Sequence, residues 1–412
     1  MASTLDLVSF AIVARILSAE YLGLFLIALA VGTIIERLGS PNLAQTFMRH
    51  AVRAIEKRQP GDLRRLLELA ALFEFSLLGL GLASGLVTAA IIAPAGDHTT
   101  FAAIVITVMF AALRPPLLAV AIPRAFGHHQ AVSGWLLLGA LMKVAILLAI
   151  LLVGGGIFGV AIAFTAWRVV AAAGGLAITA TQARRHGALS VQRSDPEVFA
   201  ANHEEFWTLA RAGAITALPQ AIVEFSTVLM GIISGVTAAG VYRLATKVGE
   251  AARIYTNPIS FVVYADQCKA VEKDDLHRLW TETIRWSAYL GIITGLGALA
   301  FVAARTELVT LAFGEGYDAA VPAITWAVIA AVPYSASVPA QFALFALGVP
   351  KHVLRAESIA AILFLAIIVF LRTPDAEQAA IALALSRAAA LVAFAVFFLN
   401  TLRQRAKWGE AR

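Results

Sequence analysis

Long apolar runs, set apart by short polar segments, recur along almost the whole chain. They fall at 5–17, 21–40, 66–93, 100–122, 132–153, 155–181, 207–233, 236–264, 283–303, 318–346, 354–371 and 376–399. A helix needs roughly 17–25 apolar residues to cross a bilayer. Backbone groups in lipid must also be satisfied within the segment, so such runs read as helices. The pattern predicts an all-α integral membrane protein of about 12 transmembrane helices. The first run, 5–17, is too short to cross.

The pattern repeats. An apolar stretch at 161–168, AIAFTAWR, carries Arg168 at mid-run, and a second at 380–387, AIALALSR, carries Arg387 in the same place. Gly23 aligns with Gly240, and Ser40-Pro41 with Asn257-Pro258, at a spacing of 217. Gly61-Asp62-Leu63-Arg64-Arg65-Leu66 matches Asp274-Asp275-Leu276-His277-Arg278-Leu279 at a spacing of 213. On this spacing the span equivalent to the seventh would begin some ten residues before Met1, so part of the first helix is expected to be missing. Six spans per half is an even number. Both copies therefore enter the membrane with the same orientation, as a parallel repeat of two six-helix lobes. The expected division is an N-terminal lobe at 1–181, a linker at 182–206, a C-terminal lobe at 207–400 and a basic tail at 401–412. Asn202 and Glu205 resemble a capping box opening the seventh span.

Charge follows the connections. Arg49, Arg53, Lys57, Arg58, Arg64 and Arg65 lie on one side, joined by Arg124, by Arg184, Arg185 and Arg193, and later by Lys269, Lys273, Arg278, Lys351, Arg355, Arg403, Arg405 and Lys407. On the other side only Arg305 and Arg372 interrupt the loops. This asymmetry predicts that the basic side, with both termini, is cytoplasmic. The net charge of +6 is thus a topology signal and not a nucleic-acid signal. Composition agrees: 60% of residues are hydrophobic, 14% charged, and mean hydropathy is +0.82, where soluble proteins carry about 25% charge. One cysteine, Cys268, excludes an intramolecular disulfide and a cysteine-based metal site.

Chemistry then rests on the charges inside the runs. A charge at the centre of a membrane helix costs about 2.5–3.5 kcal/mol on insertion scales, so it marks function by default. Arg168 and Arg387 have no acid near them in sequence, and Lys143 lies deep within its span, far from either end. Arg114 precedes Pro115 and Pro116, expected to break the fourth span, and Pro333 and Pro339 are expected to interrupt the tenth. Arg243, Lys247 and Glu250 share one helix face, with Arg253 nearby. This reads either as a basic cavity wall or as a self-neutralising ladder. Glu224 has no basic residue in reach along its own helix. It is a candidate for ion coupling with Glu250, an inter-helix ion pair being the alternative. The excess of deep cations calls for an anion, because arginine's planar fork suits phosphate oxygens.

Enzyme signals are poor. His128-His129 lack a third ligand, Asp274-Asp275 read as a helix cap, and there is no Gly-rich phosphate loop. No metal site or cofactor is expected. The short connections opposite the basic side leave little room for an active site.

ARILSAEYLGLFLIALA at 14–30 resembles the opening signature of bacterial polysaccharide and O-antigen flippases. IISGVTAAGVYRLATKV at 232–248 resembles its second-half counterpart, and LAFGEGYDAAVPA at 311–323 a phrase late in those proteins. The family belongs to the multidrug/oligosaccharidyl-lipid/polysaccharide exporter (MOP) superfamily. The chain departs from it in its short first span and in Glu224 where aspartate is expected. The resemblance implies two six-helix lobes around a V-shaped, cation-lined central cavity in the bacterial inner membrane. The implied cargo is an undecaprenyl-diphosphate-linked oligosaccharide for lipopolysaccharide or surface polysaccharide, flipped to the periplasmic leaflet by alternating access on an ion or substrate gradient. Arg168, Arg387 and Lys143 would hold the diphosphate, with Arg114, Arg243, Lys247 and Arg253 extending the basic wall. Membrane lipids and polysaccharide assembly proteins are the further partners implied; nucleic acid is not. The rival readings are a peptidoglycan-precursor or drug exporter of the same superfamily, and a membrane enzyme or scaffold of polysaccharide assembly.

Overall fold

The computed structural model describes residues 2–39, 43–56, 58–113, 117–188 and 224–410. Ser40, Pro41, Lys57, Arg114, Pro115, Pro116, Arg193, residues 189–206 of the expected linker with the Asn202–Glu205 box, and 207–223 of the seventh span lie outside them. The described residues form helices joined by short turns, without a strand among them. They form α1 (Ala2–Ile16), α2 (Ala19–Gly39), α3 (Leu43–Glu56), α4 (Pro60–Ile92) and α5 (His98–Ala111). A π-helical turn at Leu117–Ala121 leads into α6 (Ile122–Ala125), then α7 (His129–Val153) and α8 (Ile157–Arg185). The chain resumes with α9 (Glu224–Ser234), α10 (Val236–Ala252), α11 (Thr256–Glu272), α12 (Leu276–Ala303) and α13 (Arg305–Phe313). It closes with α14 (Val321–Ala346), α15 (Pro350–Leu371) and α16 (Ala376–Glu410).

Among the described residues, eight helices are long and apolar enough to cross a membrane. They match eight of the twelve expected spans; the other four are short, broken or partly outside the described residues. Large apolar side chains such as Leu72, Phe75, Ile91, Leu152 and Phe370 point outward. A helix apolar on its outer face as well as its inner one suits lipid and not water. The protein is a multi-pass membrane protein.

Two compact units divide the chain, Met1–Val228 and Leu229–Arg412. Each repeats the same local turns. After α3, Arg58 takes a left-handed φ of 52°, with Arg58 N–H on Ile55 O and Gln59 N–H on Ala54 O. After α11, Asp274 takes φ 52°, with Asp274 N–H on Val271 O and Asp275 N–H on Ala270 O. These are paired C-terminal caps of the Schellman kind. They match Asp274 with Arg58, where side-chain similarity matched it with Gly61. The side chains misled because Asp275 caps α12 by accepting from Arg278 N–H at 2.8 Å, whereas Gln59, its true counterpart, makes no side-chain cap. Gly127 and Gly348 form a second shared turn.

Two expectations about helix breaks change. The eighth span is not continuous. It splits after α10, where Pro258 has no N–H to give the Ile254 carbonyl. The tenth, by contrast, runs unbroken as α14 with Pro333 and Pro339 inside it. It packs against α10, α11, α12, α15 and α16, and such neighbours can re-satisfy backbone groups freed by proline. Gln267 Nε2, buried on α11, also ties α11 to this helix by donating to Pro339 O at 2.9 Å, although the carbonyls that the prolines free are those of Ile329 and Ser335. The fourth span does change character near its prolines. Beyond α5 the π-turn is braced from both sides: Leu118 N–H donates to Glu74 Oε1 of α4 at 2.7 Å, and Thr179 Oγ1 of α8 donates to Leu118 O at 2.5 Å. Gly175 makes room for this; a Cβ there would collide with Ala119 O.

Candidate functional site

In the first unit α1 and α8 bring their side chains to the lysine on α7. Lys143 is 1% exposed, and a buried ammonium is tolerated only with good partners. It has them. Asp6 Oδ1 lies 2.5 Å from Nζ, and the Phe164 and Trp167 rings lie 4.8 and 5.4 Å away by centroid. Phe164 is itself held edge-on by Phe10 and Phe25. Arg168, next along α8, sets its guanidinium 5.2 Å from the Trp167 ring. Faces of aromatic rings attract cations, so the described residues of this corner set two positive charges beside the Asp6 carboxylate and the Phe164 and Trp167 rings. Glu224, buried, takes Arg37 of α2 at 3.5 Å. The inter-helix ion pair is therefore present, formed by a residue outside the sequence-derived set.

In the second unit α10, α15 and α16 pack against α14, and α16 against α10 and α15. The α10 face neutralises itself in part: Lys247 Nζ lies 2.6 Å and Arg243 Nη1 3.9 Å from the Glu250 carboxylate. Arg243 is among the most buried large side chains. One turn on, Arg253 ends α10 and stacks over the Tyr334 ring at 3.7 Å. No carboxylate of the described residues lies within ion-pair distance of it. Arg387 approaches the same ring at 5.2 Å and bonds Glu357 Oε2 of α15 through Nη1 at 3.0 Å. Its acid is 30 positions away along the chain, which is why the sequence showed none nearby. Tyr334 stands midway along α14, and Arg387 a third of the way along α16. At a rise of about 1.5 Å per residue, Arg253, Tyr334 and Arg387 lie roughly 16–26 Å beyond the starts of their helices, inside a bilayer core about 30 Å thick.

The structure thus gathers Arg243, Lys247, Arg253 and Arg387 with two carboxylates, Glu250 and Glu357, in one unit, and Lys143 with Arg168 in the other. Arg114 lies outside the described residues. Sequence reasoning missed Asp6, Arg37, Tyr334 and Glu357. Asp6 and Glu357 each carried a signal, a lone acid inside an apolar run, but its partner stands on another helix. Among the described residues no three His, Cys, Asp or Glu side chains gather as a metal site would require.

No family model matches the chain, and no curated protein does. Solved structures do. A multidrug resistance MATE family transporter of the MOP superfamily, in an inward-facing conformation, matches with a TM-score of 0.77 over 99% of this chain and 96% of that one, at 13% identity. A MATE in its straight conformation gives 0.61 at 14% identity over 100% and 94%. A MOP superfamily transporter from Pyrococcus furiosus gives 0.59 at 13% identity over 97% and 92%. For that protein the reverse polarity of the binding pocket is described as suggesting a different function. The two-lobed, all-helical fold of this chain is that of MOP superfamily transporters.

Proposed function

We propose that the protein transports an anionic amphiphile across the membrane by alternating access, the cargo being an oligosaccharide on a polyprenyl diphosphate flipped between leaflets of the bacterial inner membrane. The fold supports transport. The observation that carries the anion is Arg253. Its guanidinium carbon sits over the Tyr334 ring at 3.7 Å, deep along the helices, with its N–H groups given to no carboxylate of the described residues, and Arg387 borders the same ring. Stacking occupies the face of a guanidinium and leaves its planar fork for bidentate phosphate bonds. Away from bulk water that attraction is strong. Among the described residues four cations stand against two carboxylates, a balance that disfavours a cationic drug. Lys143 and Arg168 would supply a second anion contact in the first unit, and Glu224 and Glu250 the coupling of ion movement.

The test uses the full chain in liposomes containing a fluorescent polyprenyl-diphosphate oligosaccharide, with a fluorescent cationic amphiphile as control. The expected result is leaflet exchange of the diphosphate probe by the wild type, slowed at least tenfold in Arg253→Gln, and no exchange of the cationic probe. Exchange of the cationic probe alone, or a diphosphate rate indifferent to Arg253→Gln, overturns the anion reading.

A further inference from the structure

Resting on that reading, we propose that Glu357 is a resident counter-ion for Arg387, a positioning residue whose carboxylate holds the arginine between transport events and is displaced by the phosphate of the cargo. Three observations carry this.

The first is the form of the bond. Arg387 and Glu357 meet through one contact, Nη1 to Oε2, and not through the paired fork that arginine and a carboxylate can make. Glu357 Oε1 takes part in no hydrogen bond among the described residues. A phosphate presenting two oxygens would engage the guanidinium more fully than Glu357 does, so the exchange is chemically favoured.

The second is access. The two side chains are 13% and 16% exposed. They are sheltered enough for the pair to form and open enough for a ligand to reach it. The Lys143–Asp6 pair differs, with its cation at 2% and its acid at 50% exposure.

The third comes from the repeat. The turns at Gly127 and Gly348 place α7 and α15 in a common register, and the position matching Glu357 is then Leu136. Helices α7 and α8 pack against each other as α15 and α16 do. Arg168 and Arg387 stand at matching places in α8 and α16, equally far from Ile157 and Ala376, where those helices start. One copy builds this helix pair, arginine included, with leucine where the other has glutamate. Packing alone therefore does not require the acid. A second anion beside Arg387 would compete with cargo for the same N–H groups, lowering affinity and helping release.

The experiment titrates inorganic pyrophosphate into the purified full chain in nanodiscs by calorimetry, with leaflet exchange of the lipid-linked probe read in parallel. Glu357→Gln is expected to bind pyrophosphate about tenfold more tightly and to exchange the lipid more slowly, because release is hindered. Arg387→Gln is expected to lose most of the binding. A glutamate that only held helices together would give the opposite, weaker binding and a lower unfolding temperature. Unchanged or weaker binding in folded Glu357→Gln, with wild-type exchange intact, overturns this proposal and leaves the transport reading standing. A wild type that neither binds pyrophosphate nor exchanges the lipid overturns both. If Glu357→Gln does not fold, Glu357→Asp, which draws the carboxylate back by one methylene, is expected to bind about threefold more tightly, and equal or weaker binding overturns the proposal.

Discussion

The two units carry their buried charges differently on the same sequence of helices. In the first, a lysine sunk among aromatic rings reaches an aspartate that is half open. In the second, two arginines close on one tyrosine, and the carboxylate that holds one of them, Glu357, is itself sheltered. The shared turns show that the backbone plan is common to both, so the charges are additions to it. What the plan needs is close helix contact; what each unit does with it rests on a few polar side chains.

The largest effects should therefore come from breaking the packing. Gly175 lets α8 meet the π-turn at Ala119, and Gly249 lets α10 meet α14 at Ala327 O, where a Cβ would come within 2.6 Å. Backbone atoms cannot step aside as a flexible side chain can. Overpacking typically costs about 1–3 kcal/mol, so Gly175→Leu and Gly249→Leu should each lose on the order of 3 kcal/mol or fail to fold. Thermal unfolding in detergent reads this directly. Equal tolerance at both sites would mean that the helices do not approach as described.

Next come the ion pairs, and here the units should diverge. Arg387→Met strands Glu357, which is sheltered, and breaking a pair in that way destabilises by about 3 kcal/mol when burial is complete. With 16% of the acid still exposed, about 2 kcal/mol is expected. The double variant Arg387→Met/Glu357→Gln should recover most of it. Lys143→Met removes the buried partner and leaves Asp6 half open, while methionine's flexible thioether suits the aromatic surroundings. That change should lie within about 1 kcal/mol of neutral, because replacing a buried charge by a well-packed apolar group is often harmless. Equal losses in the two single variants would erase the distinction.

How legible was this in the sequence? Helices, the repeat and the cations could be read, because runs of apolar residues with a charge inside them are local patterns. Arg387 was found from its position, but Glu357 could not be assigned to it, since contact between α15 and α16 is a property of packing. Tyr334 was invisible for the same reason; tyrosine in an apolar helix carries no signal until two arginines close on it. The proline rule failed at α14, and the break after α10, at Pro258, was not foreseen. Proline removes one backbone bond wherever it stands, and whether the helix breaks depends on neighbours that the rule does not see. The register slip at Gly61 shows a further limit. Similar side chains aligned off the true match, and only the paired backbone bonds of Arg58 and Asp274 corrected it.

That turn supplies a smaller test of the shared plan. Arg58 and Asp274 are exposed non-glycine residues with left-handed backbones, a conformation costing about 1–2 kcal/mol per residue outside glycine. Glycine removes that strain at some cost in chain entropy. Arg58→Gly and Asp274→Gly should each stabilise by about 0.5 kcal/mol, and by similar amounts. A gain in one unit and a loss in the other would show that the turns are alike in outline only.

The smallest effect concerns a place where the units part company. Between its third and fourth spans the second unit inserts α13, whereas the first uses a short turn capped by Asp97. Asp97 accepts from the Thr100 hydroxyl and backbone N–H and from the Thr99 hydroxyl. These bonds lower its pKa from 3.8 to about 2, the Thr100 side-chain bond contributing most. A depressed carboxyl pKa means that the folded protein holds the ionised form more tightly than the unfolded chain does. The stabilisation is therefore fully present above about pH 4 and is lost as pH falls towards 2. Asp97→Ala should unfold at a slightly lower temperature than the wild type between pH 5 and 7, and the two curves should converge as pH approaches 2. Because Asp97 is only partly sheltered, in a turn at the end of a helix, the gap should be small. Curves that run parallel down to pH 2 would mean that the carboxylate does not cap α5 in its ionised form, and that the first unit holds this turn by the backbone alone.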